Sequence, residues 1–278
     1  MPDFIFVPYN QYKNKTMQNL NDLRFAVLID ADNVPYSNVK GMMEEIAKYG
    51  TPTFKRIYGD WTKPTVSGWK NVLLENAITP IQQYSYTTGK NATDSAMIID
   101  AMDILYTGKV DGFCIISSDS DFTRLALRLR EAGVKLIGMG QKKTPLPFIA
   151  ACDQFIYIEI LSEVVPGLKE EDRKEESASD NTIKPLDKKA IQLIASSIGD
   201  LADESGWAFL GEVGKLILKK EPDFDSRNYG FKKLGLLIKS TQHFEIDERQ
   251  TDKSNIKLIY IRVKPVNKNT NKKAPRRK

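Results

Sequence analysis

The chain has 278 residues, of which 41% are hydrophobic and 28% are charged, an ordinary composition for a soluble globular protein. Its length accommodates two compact domains of roughly 100–200 residues each. No segment approaches the roughly 18 apolar residues that cross a bilayer. The N-terminus also lacks the long apolar core of a signal peptide, so a cytoplasmic protein without a membrane partner is expected.

The composition also limits the chemistry of the first domain. The single histidine, His243, lies late in the chain, which argues against a histidine-rich zinc site or a histidine-dependent catalytic triad before it. Cys114 and Cys152 lie in apolar segments and are predicted to be buried thiols. The net charge of +5 is concentrated in residues 262–278, which hold 8 basic and no acidic side chains. Such a tail attracts polyanions, although a solubilising terminus explains it equally well.

The first 20 or so residues are polar and aperiodic and are predicted to be an arm. Beyond them, short apolar runs predict strands at residues 25–30, 53–58, 78–84, 112–117, 134–139 and 155–160. Amphipathic stretches predict helices at residues 39–49, 64–75, 92–106 and 122–132. This alternation of strands and helices indicates an α/β fold, in which helices cover both faces of a parallel sheet.

Residues 163–185 are polar and highly charged, and they are predicted to be a linker. Three short helices and a hairpin are predicted after it, at residues 186–202, 210–218, 229–238 and 244–246 with 258–263. Helices followed by a hairpin indicate a small winged-helix domain at residues 186–264. The basic tail then occupies residues 265–278.

Four aspartates are predicted to meet at one edge of the sheet. Asp30 ends the first strand, Asp119 and Asp121 follow the fourth, and Asp94 lies near the start of the helix at 92–106. In an open parallel sheet, the binding crevice lies beyond the carboxyl ends of the strands. Clustered carboxylates repel one another, and Mg²⁺ removes that conflict because it prefers oxygen ligands. The sequence therefore predicts a metal site suited to cleaving a phosphodiester bond.

Polar neighbours of these aspartates have predicted supporting roles. The amide of Asn33 is placed to position a substrate phosphate or the attacking water, and Ser117 and Ser118 are placed to orient the carboxylates. Taken alone, each aspartate is more often structural than catalytic, with Asp121 and in part Asp94 as helix N-caps and Asp119 as a turn residue. The convergence of three separate connections on one edge favours the functional interpretation.

The segments that contain these aspartates resemble the NYN, or LabA-like, family of the PIN-like nucleases. The likeness rests on four ordered motifs, FAVLIDADNV (25–34), RIYGDW (56–61), KNATDSAMIIDAM (90–102) and CIISSDSDFTRLALRLREAGVKLIGMG (114–140). The resemblance implies a PIN-like nuclease domain at residues 22–162 that uses Mg²⁺ or Mn²⁺ to cleave RNA. Its implied catalytic residues are Asp30, Asn33, Asp94, Asp119 and Asp121, and the four aspartates among them are the implied metal ligands.

The second domain resembles the OST-HTH, or LOTUS, module, most clearly in the segment at residues 205–240, SGWAFLGEVGKLILKKEPDFDSRNYGFKKLGLLIKS. That resemblance implies binding of RNA or docking of a protein partner. Helix-turn-helix proteins contact nucleic acid near the start of the third helix. The candidate contacts there are Arg227, Asn228, Lys232 and Lys233. A solvated helix surface is the alternative for these residues, and homodimer formation stays open.

Basic residues near the crevice of the first domain are candidate phosphate contacts, namely Arg56, Lys90, Arg124 and Arg128. Arg124 and Arg128 are four residues apart and so share a helix face. Tyr58 and Trp61 are candidates for stacking on a base, but covering the sheet is the favoured role for both.

Two alternative functions remain beside the ribonuclease. The pair Asp30 and Asp32 matches the nucleophile motif of haloacid dehalogenase-like phosphatases, but no lysine stands at a later strand end before the SSDSD segment. A degenerate nuclease fold that binds RNA or a protein without cleavage is the other alternative. The intact set of acidic residues argues against it.

Overall fold

The computed structural model describes residues 23–66, 68–84, 92–161, 186–251 and 254–264. They belong to two compact units, one on each side of residues 162–185. The predicted arm, linker and basic tail lie outside the described residues. Within the described ranges, no helix has the length and apolar character needed to cross a membrane.

The first unit is built on a six-stranded sheet with the strand order β3-β2-β1-β4-β5-β6, in which every neighbouring pair is parallel. The strands are β1 (Arg24–Asp30), β2 (Thr51–Gly59), β3 (Thr79–Gln82), β4 (Gly112–Ile116), β5 (Lys135–Gly140) and β6 (Gln154–Tyr157). The helices are α1 (Val39–Ile46), α2 (Trp69–Glu75), α3 (Ala92–Tyr106), α4 (Thr123–Glu131) and α5 (Leu146–Ala151). The predicted PIN-like α/β fold is thereby confirmed.

Helices cover both faces of this sheet, as the alternate side chains of β1 illustrate. Phe25, Val27 and Ile29 pack into one core with α1 and α2, whereas Ala26 and Leu28 pack into the other with α3, α4 and α5. A strand buried on both faces needs apolar side chains at successive positions, which is why β1 and β4 are continuous apolar runs. The central strands β1 and β4 are neighbours, so their carboxyl ends lie side by side.

Local differences from the predicted elements have identifiable causes. The helix α5 was not predicted from the sequence, because Pro145 and Pro147 flank its start and make a six-residue helix resemble a loop. The predicted helix at 64–75 is a 3₁₀ turn at Pro64–Val66 followed by α2. Both cysteines are buried free thiols, as predicted.

The second unit has three α-helices, α6 (Lys188–Leu201), α7 (Leu210–Lys220) and α8 (Leu234–Ser240). Its sheet has the order β7-β9-β8 and consists of β7 (Ala208–Phe209), β8 (Phe244–Thr251) and β9 (Ser254–Val263). The predicted start of the third helix at residue 229 is wrong. Asp225 caps a 3₁₀ turn at Ser226–Tyr229, and Gly230 then adopts the left-handed conformation with φ 83°, which ends that turn. The helix α8 begins four residues further along the chain.

The two-sided core predicts how the first unit responds to truncation of a core side chain. Ile137 on β5 is fully buried, so Ile137→Ala leaves a cavity and is expected to lower the free energy of unfolding by about 2–5 kcal/mol. Chemical denaturation monitored by circular dichroism measures this change.

The matched control is Ile99→Ala on α3, where the side chain is 63% exposed. It is expected to change the free energy of unfolding by less than about 0.5 kcal/mol. Equal losses for the two variants would contradict the assignment of Ile137 to the core.

Candidate metal centre

Asp30 is the last residue of β1 and is only 1% exposed. Its Oδ2 accepts hydrogen bonds from Asn33 Nδ2 at 2.7 Å and from Ser117 Oγ at 2.8 Å, while Oδ1 accepts from the backbone N–H of Asp32 at 3.1 Å. Burial raises the pKa of Asp30, and these three donors partly offset that rise because they favour the charged form. The carboxylate is therefore held in a fixed orientation at the strand end.

Ser117 connects the ends of the two central strands. Its hydroxyl donates to Asp30 and accepts from the backbone N–H of Asp119 at 3.0 Å. Asp119 in turn accepts from the backbone N–H of Asp121 at 2.9 Å and caps a 3₁₀ turn at Ser120–Phe122. The N-cap role considered for Asp121 is therefore filled by Asp119 instead. It orients the loop that presents Asp119 and Asp121 at the sheet edge.

Asp94 reaches the same edge from the first turn of α3. Burial is the main cause that raises its pKa to about 6, and the charges of Asp30, Asp119, Asp121 and Asp32 add to it in that order. Because the charges of four other carboxylates raise the pKa of Asp94, all four lie near it. The structure therefore brings the four predicted aspartates to one place.

Three of these aspartates form the tightest group. One carboxylate oxygen from each of Asp94, Asp119 and Asp121 lies within 4.8 Å of the other two. Asp30 does not belong to that mutual set, but among the carboxylates its charge contributes most to the raised pKa of Asp94. Asp30 is therefore buried beneath the group of Asp94, Asp119 and Asp121, which we call the aspartate triad, whereas Asp121 is exposed to solvent.

This donor set fits a hard divalent cation. All the donors are carboxylate oxygens, the type of ligand that Mg²⁺ and Mn²⁺ prefer. Asp94 and Asp119 are partly exposed and Asp121 is exposed, which leaves room for the waters that Mg²⁺ keeps. A bound cation would also offset the mutual repulsion that, together with the larger effect of burial, raises the pKa of Asp94.

The end of β5 supports the site from the side, which the sequence analysis did not predict. A Cβ atom at Gly140 would lie 2.6 Å from the carbonyl oxygen of Ser117 and 2.7 Å from Thr144 Oγ1, so only glycine fits there. Ser118 Oγ accepts from the backbone N–H of Gln141 at 2.9 Å. The glycine that ends β5 was the available sequence signal, since glycine within a strand marks a close backbone approach.

The basic residues of the first unit that are candidate phosphate contacts differ in whether their side chains already have partners. The Arg56 guanidinium is paired with Asp100, which also accepts from the Tyr58 hydroxyl. Arg124 is exposed in the first turn of α4, and Arg128 donates to the Tyr106 hydroxyl at 3.4 Å. Lys90 lies outside the described residues.

The two aromatic residues considered for base stacking belong to the sheet. Tyr58 is fully buried in the core beneath α3, so the favoured role as a sheet-covering residue is confirmed. Trp61 packs against the opposite core and donates its Nε1–H to the carbonyl oxygen of Ile81 at 3.0 Å.

The candidate nucleic-acid contacts of the second unit were predicted to lie together at the start of one helix, and this prediction is wrong. Arg227 and Asn228 lie in the 3₁₀ turn, where Arg227 pairs with Asp225 at 2.6 Å and Asn228 Nδ2 donates to the Asp223 carbonyl at 3.2 Å. Lys232 and Lys233 are exposed, and Lys233 is the N-cap residue of α8. Their contacts with nucleic acid stay a prediction.

The raised pKa of Asp94 predicts how its replacement affects stability. The pKa of about 6 lies above the ordinary value of 3.8, so the folded protein favours the protonated carboxyl. The resulting stabilisation is complete below the ordinary value and is lost as the pH rises through about 6. In EDTA at about pH 8, Asp94→Asn is therefore expected to raise the melting temperature of the first unit, and the difference should vanish toward about pH 4.

Scanning calorimetry at the two pH values measures this effect. The control is Asp103→Asn, an exposed position on the same helix, which is expected to leave the melting temperature unchanged. A melting temperature for Asp94→Asn below that of the wild type at the higher pH would contradict the electrostatic account.

Comparison with known proteins gives two domain matches. The NYN domain model matches residues 24–159, and the OST-HTH/LOTUS domain model matches residues 181–256. A search of curated proteins finds no match.

Among solved structures, a protein of unknown function from Vibrio parahaemolyticus is 20% identical, with a TM-score of 0.43, over 51% of this chain and 96% of its own. An uncharacterized protein from Nitrosomonas europaea is 33% identical, with a TM-score of 0.28, over 35% of this chain and 92% of its own. A protein from Chromobacterium violaceum is 27% identical, with a TM-score of 0.24, over 30% of this chain and 87% of its own. The two domain matches identify the chain as a protein with an NYN domain, of the PIN-like nuclease superfamily, followed by an OST-HTH/LOTUS domain.

Proposed function

We propose that this protein is a metal-dependent ribonuclease, more specifically an endoribonuclease, that hydrolyses RNA phosphodiester bonds at Asp30, Asn33, Asp94, Asp119 and Asp121. The observation that carries the proposal is the mutual proximity of the Asp94, Asp119 and Asp121 carboxylates beside the buried Asp30. These carboxylates lie in an NYN domain, beyond the carboxyl ends of β1 and β4. That edge is where open parallel sheets bind their substrates.

Asp94, Asp119 and Asp121 would hold the cation, Mg²⁺ or Mn²⁺, with Asp30 as the fourth acidic ligand or as a charge behind it. When bound, the cation would activate water and neutralise charge on the phosphodiester during in-line displacement. The turn that Asp119 caps holds Asp121 in place, so the two carboxylates keep a fixed separation along the loop. The first turn of the α3 helix supplies Asp94.

Asp30 and Asn33 have positioning roles in this proposal. Hydrogen bonds from Ser117 and Asn33 fix the Asp30 carboxylate, so it need not reorganise when substrate binds. The Asn33 amide lies within hydrogen-bond distance of Asp30 at the rim of the crevice, where it would orient a phosphate or the attacking water. Arg124, exposed in the first turn of α4, would contact a neighbouring phosphate.

The OST-HTH/LOTUS domain supports binding of RNA by the second unit. In the proposal, its exposed Lys232 and Lys233 contact the phosphate backbone and raise the local concentration of RNA near the first unit. Arg227 and Asn228 are the weaker candidates, since both side chains already contact residues of their own loop.

A phosphatase of the haloacid dehalogenase type is less consistent with these observations. Its nucleophile would be Asp30, but that side chain is 1% exposed and already accepts three hydrogen bonds. A nucleophilic carboxylate must reach the phosphorus atom, which this burial prevents. The NYN domain match over residues 24–159 also favours a PIN-like nuclease over a phosphatase of this type.

The proposal predicts the loss of cleavage when one ligand of the triad is neutralised. Asp119→Asn preserves the size of the side chain and removes its charge, so RNA cleavage is expected to fall by about 100-fold or more. The measurement is cleavage of end-labelled single-stranded RNA by the purified full-length protein with Mn²⁺, with Mg²⁺ or with EDTA.

Asp103→Asn serves as the matched control, because this exposed aspartate lies on α3 away from the cluster and should leave cleavage unchanged. Cleavage by the wild type in EDTA, or equal cleavage by Asp119→Asn, would overturn the proposal. RNA binding without cleavage under all metal conditions would favour a non-catalytic RNA-binding protein.

A further inference from the structure

A cavity of about 520 Å³ adjoins the acidic cluster at the carboxyl edge of the sheet. Its apolar wall includes Val34, Tyr36 and Trp69, and its polar wall includes Asn33, Gln141 and Lys143. A volume of this size lies in the roughly 300–1,000 Å³ range of small-molecule sites. Mixed apolar and polar walls suit a ligand with a flat ring and a charged group.

The cavity and the acidic cluster share a wall. Asn33 lines the cavity, and its side chain donates to Asp30 at 2.7 Å. Gln141 lines it from the other side, and its backbone N–H donates to Ser118 at 2.9 Å. A molecule in the cavity is therefore a direct neighbour of the proposed catalytic residues.

The cluster and the cavity lie toward opposite faces of the sheet. Asp94 belongs to α3 and Asp121 precedes α4, and both helices pack on one face. Val34 and Trp69 of the cavity wall belong to the core of the other face. The carboxyl end of β1 lies between them, so a nucleic-acid strand that crosses it would meet the acids first and the cavity next.

Tyr36 gives the cavity a rigid aromatic surface. Its ring packs so closely on Gly68 that a Cβ atom there would lie 2.5 Å from it. The ring also meets Trp69 edge-on, with centroids 6.5 Å apart and an interplanar angle of 66°. It is nevertheless 49% exposed. A ring supported on one side and open on the other is a platform on which a base stacks.

We propose that this cavity is a base pocket, which binds the nucleobase of the nucleotide next to the scissile phosphate by stacking it on Tyr36. The proposal rests on the ribonuclease function above and names a substrate subsite for it. Lys143 would contact the phosphate of the same nucleotide. The exposed carboxylate of Asp32, which also lines the cavity, accepts hydrogen bonds. The pocket therefore favours bases with an exocyclic amino group over uracil.

The test is calorimetric titration of the full-length protein in EDTA with cytidine, adenosine and guanosine 5′-monophosphates, uridine 5′-monophosphate and ribose 5-phosphate. The amino-bearing nucleotides are expected to bind at least about 5-fold more tightly than ribose 5-phosphate, because only they have both a base that stacks on Tyr36 and an amino group that donates to Asp32. Uridine 5′-monophosphate should bind less tightly than these three. In Tyr36→Ala, the affinity for every nucleotide should fall to the affinity for ribose 5-phosphate. Tyr36→Phe should keep the wild-type order of nucleotide affinities.

Leu74→Ala, which removes an exposed apolar side chain elsewhere on the first unit, is the control and should bind nucleotides as the wild type does. A separate Mn²⁺ titration should give the same affinity for the wild type and Tyr36→Ala, which shows that the acidic cluster is intact. Nucleotide binding that is unchanged in Tyr36→Ala, or wild-type binding of ribose 5-phosphate as tight as that of the nucleotides, would overturn the base pocket.

A cleavage assay distinguishes this proposal from the ribonuclease itself. An abasic nucleotide beside the cut site should slow wild-type cleavage about 5-fold or more and should not slow Tyr36→Ala further. An equal effect of the abasic nucleotide on both proteins would overturn the base pocket and leave the ribonuclease standing. Nucleotide binding that depends on Tyr36, in a protein that cleaves no RNA, would overturn the ribonuclease and leave a nucleotide site.

Discussion

The hydrogen bond between Ser117 and Asp30 fixes the relation between the two central strands of the first unit at their carboxyl ends. Parallel pairing of β1 with β4 brings the strand ends together, and this bond sets the orientation of the buried carboxylate. The same hydroxyl accepts from the backbone of Asp119, so one side chain aligns both acidic segments. A buried carboxylate without such donors would be protonated, because burial disfavours its charged form. The geometry of the proposed metal site therefore depends on a serine that binds no metal itself.

Stability and function oppose each other at this edge. The carboxylates repel one another, and the raised pKa of Asp94 reflects burial first and that repulsion second. A divalent cation bound by these carboxylates would replace their repulsion with attraction. The site would therefore be more stable with the cation than without it. The cavity beside Asn33 differs in character, because it adds an aromatic ring and an aliphatic wall to its polar residues. With a cation held by the carboxylates, a phosphate with an attached base would match the two halves of this edge in charge and in shape.

The sequence determines those parts of this picture that follow from burial and topology. Apolar runs as long as β1 and β4 have no stable alternative to two-sided burial, and an aspartate after such a strand must project at the carboxyl edge. Contacts between residues that are far apart in the sequence cannot be predicted from these patterns. The pairing of Arg56 with Asp100 spans 44 residues, and the packing of Tyr36 on Gly68 depends on how α2 lies against the sheet. The start of α8 was missed because the left-handed Gly230 outweighs the helical pattern on either side.

The central claim is that Asp94, Asp119 and Asp121 bind one divalent cation in common. The most direct measurement is anomalous diffraction from a crystal of the full-length protein soaked in Mn²⁺. The account predicts an anomalous peak among the three carboxylates, with manganese–oxygen distances of about 2.0–2.3 Å, and its absence from crystals of Asp94→Asn. A wild-type crystal without a peak at saturating Mn²⁺, or a peak bound by other residues, would contradict the account.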